Sequence, residues 1–211
     1  MSERCAVVVL AKAPVAGFAK TRMIGALGAK GAAQLAARLL DHAVAQAVAA
    51  GIGPVEACCT PDATHPAFVA LAQRLPVGLS VQRGGDLGVR LQAALARALE
   101  RHPRAIVLGT DAPGLDAAFL REAAARLASH DAVVGPARDG GYTLVGVRAA
   151  PMRLFEGIDW STSQVLIQTR ERLHELGWKH AELAELADID EPADLAALPP
   201  GWRDAMAAAR P

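Results

Sequence analysis

The run from Ala6 to Ala11, AVVVLA, is almost continuously apolar, rich in valine, and stops abruptly at Lys12. A run this short and uninterrupted predicts a strand buried on both faces rather than a helix. The same device recurs along the chain. Val55–Cys59, Leu79–Gln82 and Ala105–Thr110 read as further strands. Between them lie stretches with helical spacing. Gly28–Ala50 carries Leu35, Leu39, Leu40, Ala43 and Ala47 on one face and ends at Gly51; Ala67–Leu75 is closed by Pro76; a third helix runs from about Leu87 to Glu100. Helices are also expected over Asp116–Ala128 and from about Gln164 to Leu176, the latter capped by Ser161 or Thr162. Asp131–Gly135 and Gly140–Val147 are strands joined only by Pro136-Ala137-Arg138-Asp139, too short a connection for a helical crossover. That pair must be antiparallel, so the pattern predicts an α/β chain with a mixed, mainly parallel sheet.

Length and composition narrow the class. A chain of 211 residues suits one α/β domain with a full core, expected to occupy 1–211 with its core over about 5–198; the tail after Leu198-Pro199-Pro200-Gly201 is expected to be dispensable. Only 4% of residues are aromatic although 52% are hydrophobic, so Ala, Leu and Val must fill the core. Lys+Arg and Asp+Glu are equal at 22 each, which excludes the overall basic field behind non-specific nucleic-acid binding. Cys5, Cys58 and Cys59 form neither a disulfide framework nor a CxxC metal pattern, and the scattered histidines make no metal site. No apolar run approaches the roughly 18 residues of a membrane span, and no signal design opens the chain. A cytoplasmic protein without nucleic-acid or membrane partners is expected.

The chemistry begins in the loop after the first strand. Between Lys12 and Arg22 lie Lys12, Lys20 and Arg22, the backbone-shaping Pro14 and Gly17, the hydroxyl of Thr21, and no acid. Such a loop suits an anion: glycine admits a phosphate close to the backbone, lysine supplies point charge, and arginine offers a planar fork. Neither the P-loop spacing nor G-x-G-x-x-G is present. A second glycine turn, Gln82-Arg83-Gly84-Gly85-Asp86-Leu87-Gly88-Val89-Arg90, follows the third strand, with Asp86 placed to cap the next helix. Asp111 leaves the fourth strand at its carboxyl end, where open α/β sheets gather ligands. Asp139 opens Asp139-Gly140-Gly141-Tyr142, which is also good turn chemistry, and it can bind an acceptor or serve as general base towards a hydroxyl. In Asp188-Ile189-Asp190-Glu191-Pro192-Ala193-Asp194-Leu195, Asp188 and Asp190 project from one side if extended, while Asp190 or Glu191 can cap the short helix opened by Pro192.

These segments, in this order, resemble the nucleotide-diphospho-sugar transferase superfamily of GT-A fold. Within it they are most similar to a bacterial branch of predicted transferases (DUF2064-like) related to molybdopterin and phospholactate guanylyltransferases. The matching motifs are K-x-P-x-x-G-x-x-K-T-R-M at Lys12–Met23, Q-x-G-G-D-L-G-x-R at Gln82–Arg90, G-T-D-A-P around Asp111, D-G-G-Y at Asp139–Tyr142, W-S-T at Trp160–Thr162 and D-I-D-E-P at Asp188–Pro192. The resemblance implies a three-layer α/β/α domain. It implies nucleotide phosphates on Lys12, Pro14, Gly17, Lys20, Thr21 and Arg22, and base and ribose near Gln82, Gly85 and Arg90. It also implies Mg²⁺ (or Mn²⁺) on Asp111 and Asp190 with Asp188 in reserve. Lys20, Arg22, Asp111 and Asp139 are the expected catalytic set. Glu191 stands where the branch has Thr, and Gly109 breaks the D-x-D form commoner in glycosyltransferases. The expected reaction is nucleotidyl transfer from a nucleoside triphosphate to a small phosphorylated acceptor, releasing pyrophosphate. Glycosyl transfer from a nucleotide sugar, or nucleotide binding without turnover, are the alternatives.

Overall fold

The computed structural model describes residues 4–202. The elements alternate as β1 (Cys5–Lys12), α1 (Ile24–Ala50), β2 (Val55–Thr60), α2 (Pro66–Arg74), β3 (Val77–Val81), α3 (Leu87–Leu99), β4 (Arg104–Leu108), α4 (Ala117–Arg126), β5 (Ala132–Pro136), β6 (Tyr142–Val147), α5 (Val165–Glu175) and β7 (His180–Glu182). Short 3-10 turns lie at Thr21–Met23, Met152–Phe155 and Pro192–Ala197.

One sheet holds all seven strands in the order β3-β2-β1-β4-β6-β5-β7. Every pairing is parallel except those of β6, which runs antiparallel to both β4 and β5. The short 136–139 connection therefore does force the reversal expected of it. β6 also inserts itself between β4 and β5, which no local pattern announces. β7 is a further difference, since the sequence reading contains no strand there. Its three residues, His-Ala-Glu, carry no apolar alternation and pair along one side only, against β5.

The apolar run of β1 is buried on both faces. Val7, Val9 and Ala11 join one core with Leu40, Ala43 and Val44 of α1, Phe68 and Leu71 of α2, and Leu120 and Leu127 at α4. Ala6 and Val8 join the other with Leu91 and Leu95 of α3 and Leu166 and Leu173 of α5. This alternation with period 2 makes the three-layer α/β/α sandwich, with α1, α2 and α4 on one side and α3 and α5 on the other. A smaller cluster of Met23, Ala32, Leu35, Leu39, Ile189 and Leu198 ties the start of α1 to the C-terminal segment.

Helix boundaries follow their caps. Asp86 accepts from Val89 N–H at 2.9 Å as expected, and Asp116, expected as the first helical residue, caps α4 instead by accepting from Phe119 N–H at 2.8 Å. α1 starts at Ile24, earlier than expected, because the chain enters through the Thr21–Met23 turn and then kinks at Gly28. His65 caps α2 through Nδ1, which accepts from Ala67 N–H. Ser161 is not a cap; Thr162 Oγ1 accepts from Gln164 N–H just before α5. The three cysteines are buried and free, and burial pushes the thiols of Cys5 and Cys59 up to about 12. No described helix is long and apolar enough to cross a membrane. Trp202, in the tail expected to be dispensable, lies 4.5 Å over the Arg38 guanidinium; residues 203–211 of that tail, and 1–3, lie outside the described residues.

Candidate active site

Six strands deliver chain to one rim. β1, β2, β3, β4 and β5 end there, and antiparallel β6 begins there. Along this rim opens a cavity of about 580 Å³, a size that accommodates a nucleotide-scale ligand. Of the residues the sequence singles out, Lys12, Lys20, Thr21, Arg22, Gln82, Arg90, Asp111, Asp139, Asp188 and Asp190 all line it. Pro14, Gly17 and Gly85 do not. Gly17 shapes the loop through its left-handed backbone, φ 84°. In the second glycine turn it is Gly84, not Gly85, that takes the left-handed conformation; Gly85 offers its carbonyl to Arg90 Nε at 3.0 Å.

The phosphate-loop candidate is folded largely by its own backbone. Val15 N–H donates to Ala13 O, Phe18 and Ala19 N–H to Val15 O, and Met23 N–H to Lys20 O. Lys20 adopts a left-handed backbone, φ 47° and ψ 48°. Its ammonium lies 2.6 Å from Asp111 Oδ1 and 2.6 Å from Asp190 Oδ1. The loop thus has no acid of its own, but acids from the middle and end of the chain meet it. Burial works against the Lys20 charge, yet Asp111 and Asp190 outweigh it and hold the ammonium pKa above the ordinary lysine value. Arg22 stays exposed and only loosely paired with Glu191 at 3.7 Å. Among the described residues no carboxylate forms an ion pair with Lys12.

Delivery of the distal acids rests on Ile189. Its side chain is fully buried beside Met23, Leu35 and Leu39, and its N–H donates to Asp111 O at 2.9 Å. Ile189 is buried while Asp188 and Asp190, on either side of it, line the cavity. Upstream, Leu186 N–H donates to Pro136 O at the end of β5 and Leu186 O accepts from Arg138 N–H, continuing the path begun by β7. Downstream, Asp194 Oδ2 accepts from the N–H groups of Asp190 and Glu191, completing a capping box with Glu191. Asp188 is held well above the usual carboxylate range, at about 6, by burial first and then by the charge of Asp139.

Asp139 Oδ1 accepts from Gly141 N–H at 2.8 Å, so the turn role expected of it is real and leaves its second oxygen free of that bond. Gly140 is required for two reasons. Its φ is +88°, and a Cβ there would meet the Ser163 backbone at 2.5 Å. The room left by that glycine is taken by the chain itself, and Leu166 N–H donates to Gly140 O. Gln82 is likewise engaged: its amide donates to Ala11 O and Cys58 O, bracing the ends of β1 and β2 beside the cavity.

The two acids Asp111 and Asp190 offer only oxygen donors and already converge on one cation, the Lys20 ammonium, a donor set that fits Mg²⁺ or Mn²⁺ completed by waters and substrate oxygens. Among the described residues there is no group of three or more His, Cys, Asp or Glu that could hold a metal unaided.

Residues 39–162, more than half of the chain, match the family described as "Uncharacterized protein conserved in bacteria (DUF2064)". The chain belongs to the DUF2064 family. Its fold is that of the nucleotide-diphospho-sugar transferases. A solved structure from Desulfovibrio desulfuricans G20, named "putative nucleotide-diphospho-sugar transferase", is 28% identical, covers 90% of this chain and 84% of its own, and superposes with a TM-score of 0.82. CMP:2-keto-3-deoxy-manno-octonic acid synthetase complexed with CTP (12% identity, 97% and 99% covered, TM-score 0.58) shares the fold. So does 2-C-methyl-D-erythritol 4-phosphate cytidylyltransferase from Thermus thermophilus (18%, 92% and 96%, 0.52). No protein of curated function matches the chain.

Two residues outside the expected binding and catalytic sets, and Trp160 of the W-S-T motif, also line the cavity of this DUF2064 member. Phe18, 68% exposed in the loop, and Leu87 at the start of α3 border the cavity as large apolar groups. A lone exposed aromatic in a basic loop was the available cue for Phe18. Trp160 packs edge-on to Tyr142 and lies where a Cβ on Gly88 would meet it at 2.9 Å, so it is a wall of the cavity and an anchor for α3 at once.

Proposed function

We propose that this transferase binds a nucleoside triphosphate or nucleotide sugar along the rim and passes part of it to a small acceptor, assisted by Mg²⁺ or Mn²⁺. One observation carries the reading: carboxylates from β4 and from the C-terminal segment meet a cationic loop from β1 at one point of a nucleotide-sized cavity. In this arrangement Lys12, Arg22 and Thr21 bind the phosphates. Gln82, Arg90 and Leu87, at the far side of β1, face the nucleoside. Asp111 and Asp190 are the residues that would hold the divalent ion, with Asp188 close by. Bound there, such an ion neutralises phosphate charge and favours in-line attack.

The basicity of the loop favours nucleotidyl transfer, in which an acceptor phosphate attacks the α-phosphorus and pyrophosphate departs. That reaction needs no strong general base, because the acceptor oxygen is already ionised. The acids at the other end favour a second reading. Asp139 and Asp188 also line the cavity, and a carboxylate beside the acceptor can take the proton of an attacking hydroxyl in glycosyl transfer. Incubation with each nucleoside triphosphate and each common nucleotide sugar plus Mg²⁺ separates the two, pyrophosphate release marking the first and nucleoside diphosphate release the second. Absence of binding by any of these ligands overturns both.

A further inference from the structure

The resemblance puts Lys20 on nucleotide phosphates and the proposed reading puts a divalent ion on Asp111 and Asp190, and the present position of the Lys20 ammonium satisfies neither. Its ammonium fills the point on which both proposed metal ligands converge, 2.6 Å from an oxygen of each. The Lys20 side chain is only 8% exposed, whereas those of Asp111 and Asp190 are 44% and 41% exposed. The cation is buried while its two acids stay open to solvent. The left-handed backbone of Lys20 is a conformation that a lysine keeps only where its surroundings hold it. Two ion pairs supply that hold.

We propose that Lys20 is a tethered stand-in for the divalent ion. In the unloaded protein its ammonium keeps Asp111 and Asp190 from repelling one another; when an ion enters with a polyphosphate, the ammonium is displaced onto the phosphates. The proposal rests on the metal-assisted reading of the site. No covalent bond of the protein changes in the exchange: the ammonium gives up its hydrogen bonds to the two carboxylates, and the same oxygens take the divalent ion. The flexible four-carbon stem of lysine permits the swing, which the planar fork of an arginine would resist. The exchange couples the two ligands. An ion arriving alone must strip the ammonium of its partners, whereas an ion arriving with a polyphosphate brings the groups that receive it. The site therefore discriminates against divalent ions that arrive without substrate.

The test is Mn²⁺ titration of the full chain, with free Mn²⁺ read by electron paramagnetic resonance, on the wild type, Lys20→Met and Lys20→Gly. The glycine variant accepts the left-handed backbone, so a folding defect in the methionine variant does not decide the outcome. Both variants are expected to bind Mn²⁺ alone at least about tenfold more tightly than the wild type. In thermal melts with Mn²⁺ and inorganic triphosphate, the wild type should be stabilised by the pair well beyond either alone, while Mn²⁺ alone should account for most of the effect in the variants. Variants that bind Mn²⁺ no more tightly than the wild type overturn the stand-in role. Adding Asp111→Asn to Lys20→Met separates the two levels. If tight Mn²⁺ binding disappears, the acid pair is the metal site and only the first comparison judges Lys20. If it persists, or if no variant binds Mn²⁺ at all, the metal reading and the stand-in fall together.

Discussion

The Lys12–Arg22 loop and the Asp188–Asp190 segment face each other across one rim, opposite in charge and held in different ways. Beyond Ala13, whose N–H donates to Thr60 O of β2, the loop is turned by backbone bonds between residues no more than four apart, among them Ala19 N–H to Val15 O. The acidic segment is held by distant partners: Leu186 N–H on Pro136 O, Ile189 N–H on Asp111 O, and the Ile189 side chain among residues of α1. A charge on the loop is thus a local property, while the position of Asp190 depends on β4, β5 and α1 being assembled. The turns of the loop are made by near neighbours, whereas the meeting of its Lys20 with Asp111 and Asp190 exists only in the finished fold.

The strongest way to break this contrast is to remove the acid at which the halves meet. Asp111→Asn should lower turnover by about 10²–10³-fold, measured as pyrophosphate or nucleoside diphosphate release, and a variant within twofold of the wild type would disconnect the acid from the chemistry. Next is the anchor. Ile189→Ala should cost about 3 kcal/mol in denaturant unfolding, because a fully buried side chain leaves a cavity. It should also weaken divalent-ion binding although it touches no ligand, whereas loss of stability with unchanged ion binding would show that Asp190 is placed by something else.

On the loop side, Arg22→Ala should weaken nucleotide binding about tenfold with little change in melting temperature, since Arg22 is exposed and its one ion pair among the described residues is long. An equal loss of stability would mean that the loop is less self-contained than its bonds indicate. The smallest effect sharpens the acidic side. The Asp188 carboxyl is raised from 3.8 to about 6 in the folded chain. Between those values the native state keeps a proton that the unfolded chain has released, so stability falls as pH rises through the window. Asp188→Asn should therefore be more stable than the wild type at pH 7.5, by roughly 1 kcal/mol once solvent screening is allowed for. That gain should vanish below about pH 4, as thermal melts across pH would reveal.

Most of the fold was legible because its signals are local. Buried strands announce themselves as apolar runs, and Asp86 sits where a cap belongs. Gly51 ends α1 with a left-handed residue at the expected place. β7 was not legible, because a three-residue edge strand with the sequence His-Ala-Glu owes its existence to the exposed side of β5. The site divided along the same line. The residue types and their positions at strand ends could be read off. That Gln82 braces two carbonyls, and that Gly140 makes room for Ser163, could not.

By itself the sequence determined the alternation of strand and helix, the burial of the sheet on both sides, and a cationic loop with several acids at candidate strand ends, since each follows from spacing within a few residues. Only the tertiary structure decided which charges meet. Lys20 and Asp190 are 170 residues apart in the chain, and no local pattern pairs them. Attraction between charges depends on their separation in space and on how much water lies between them, and both are set only when the sheet has brought its strand ends to one rim.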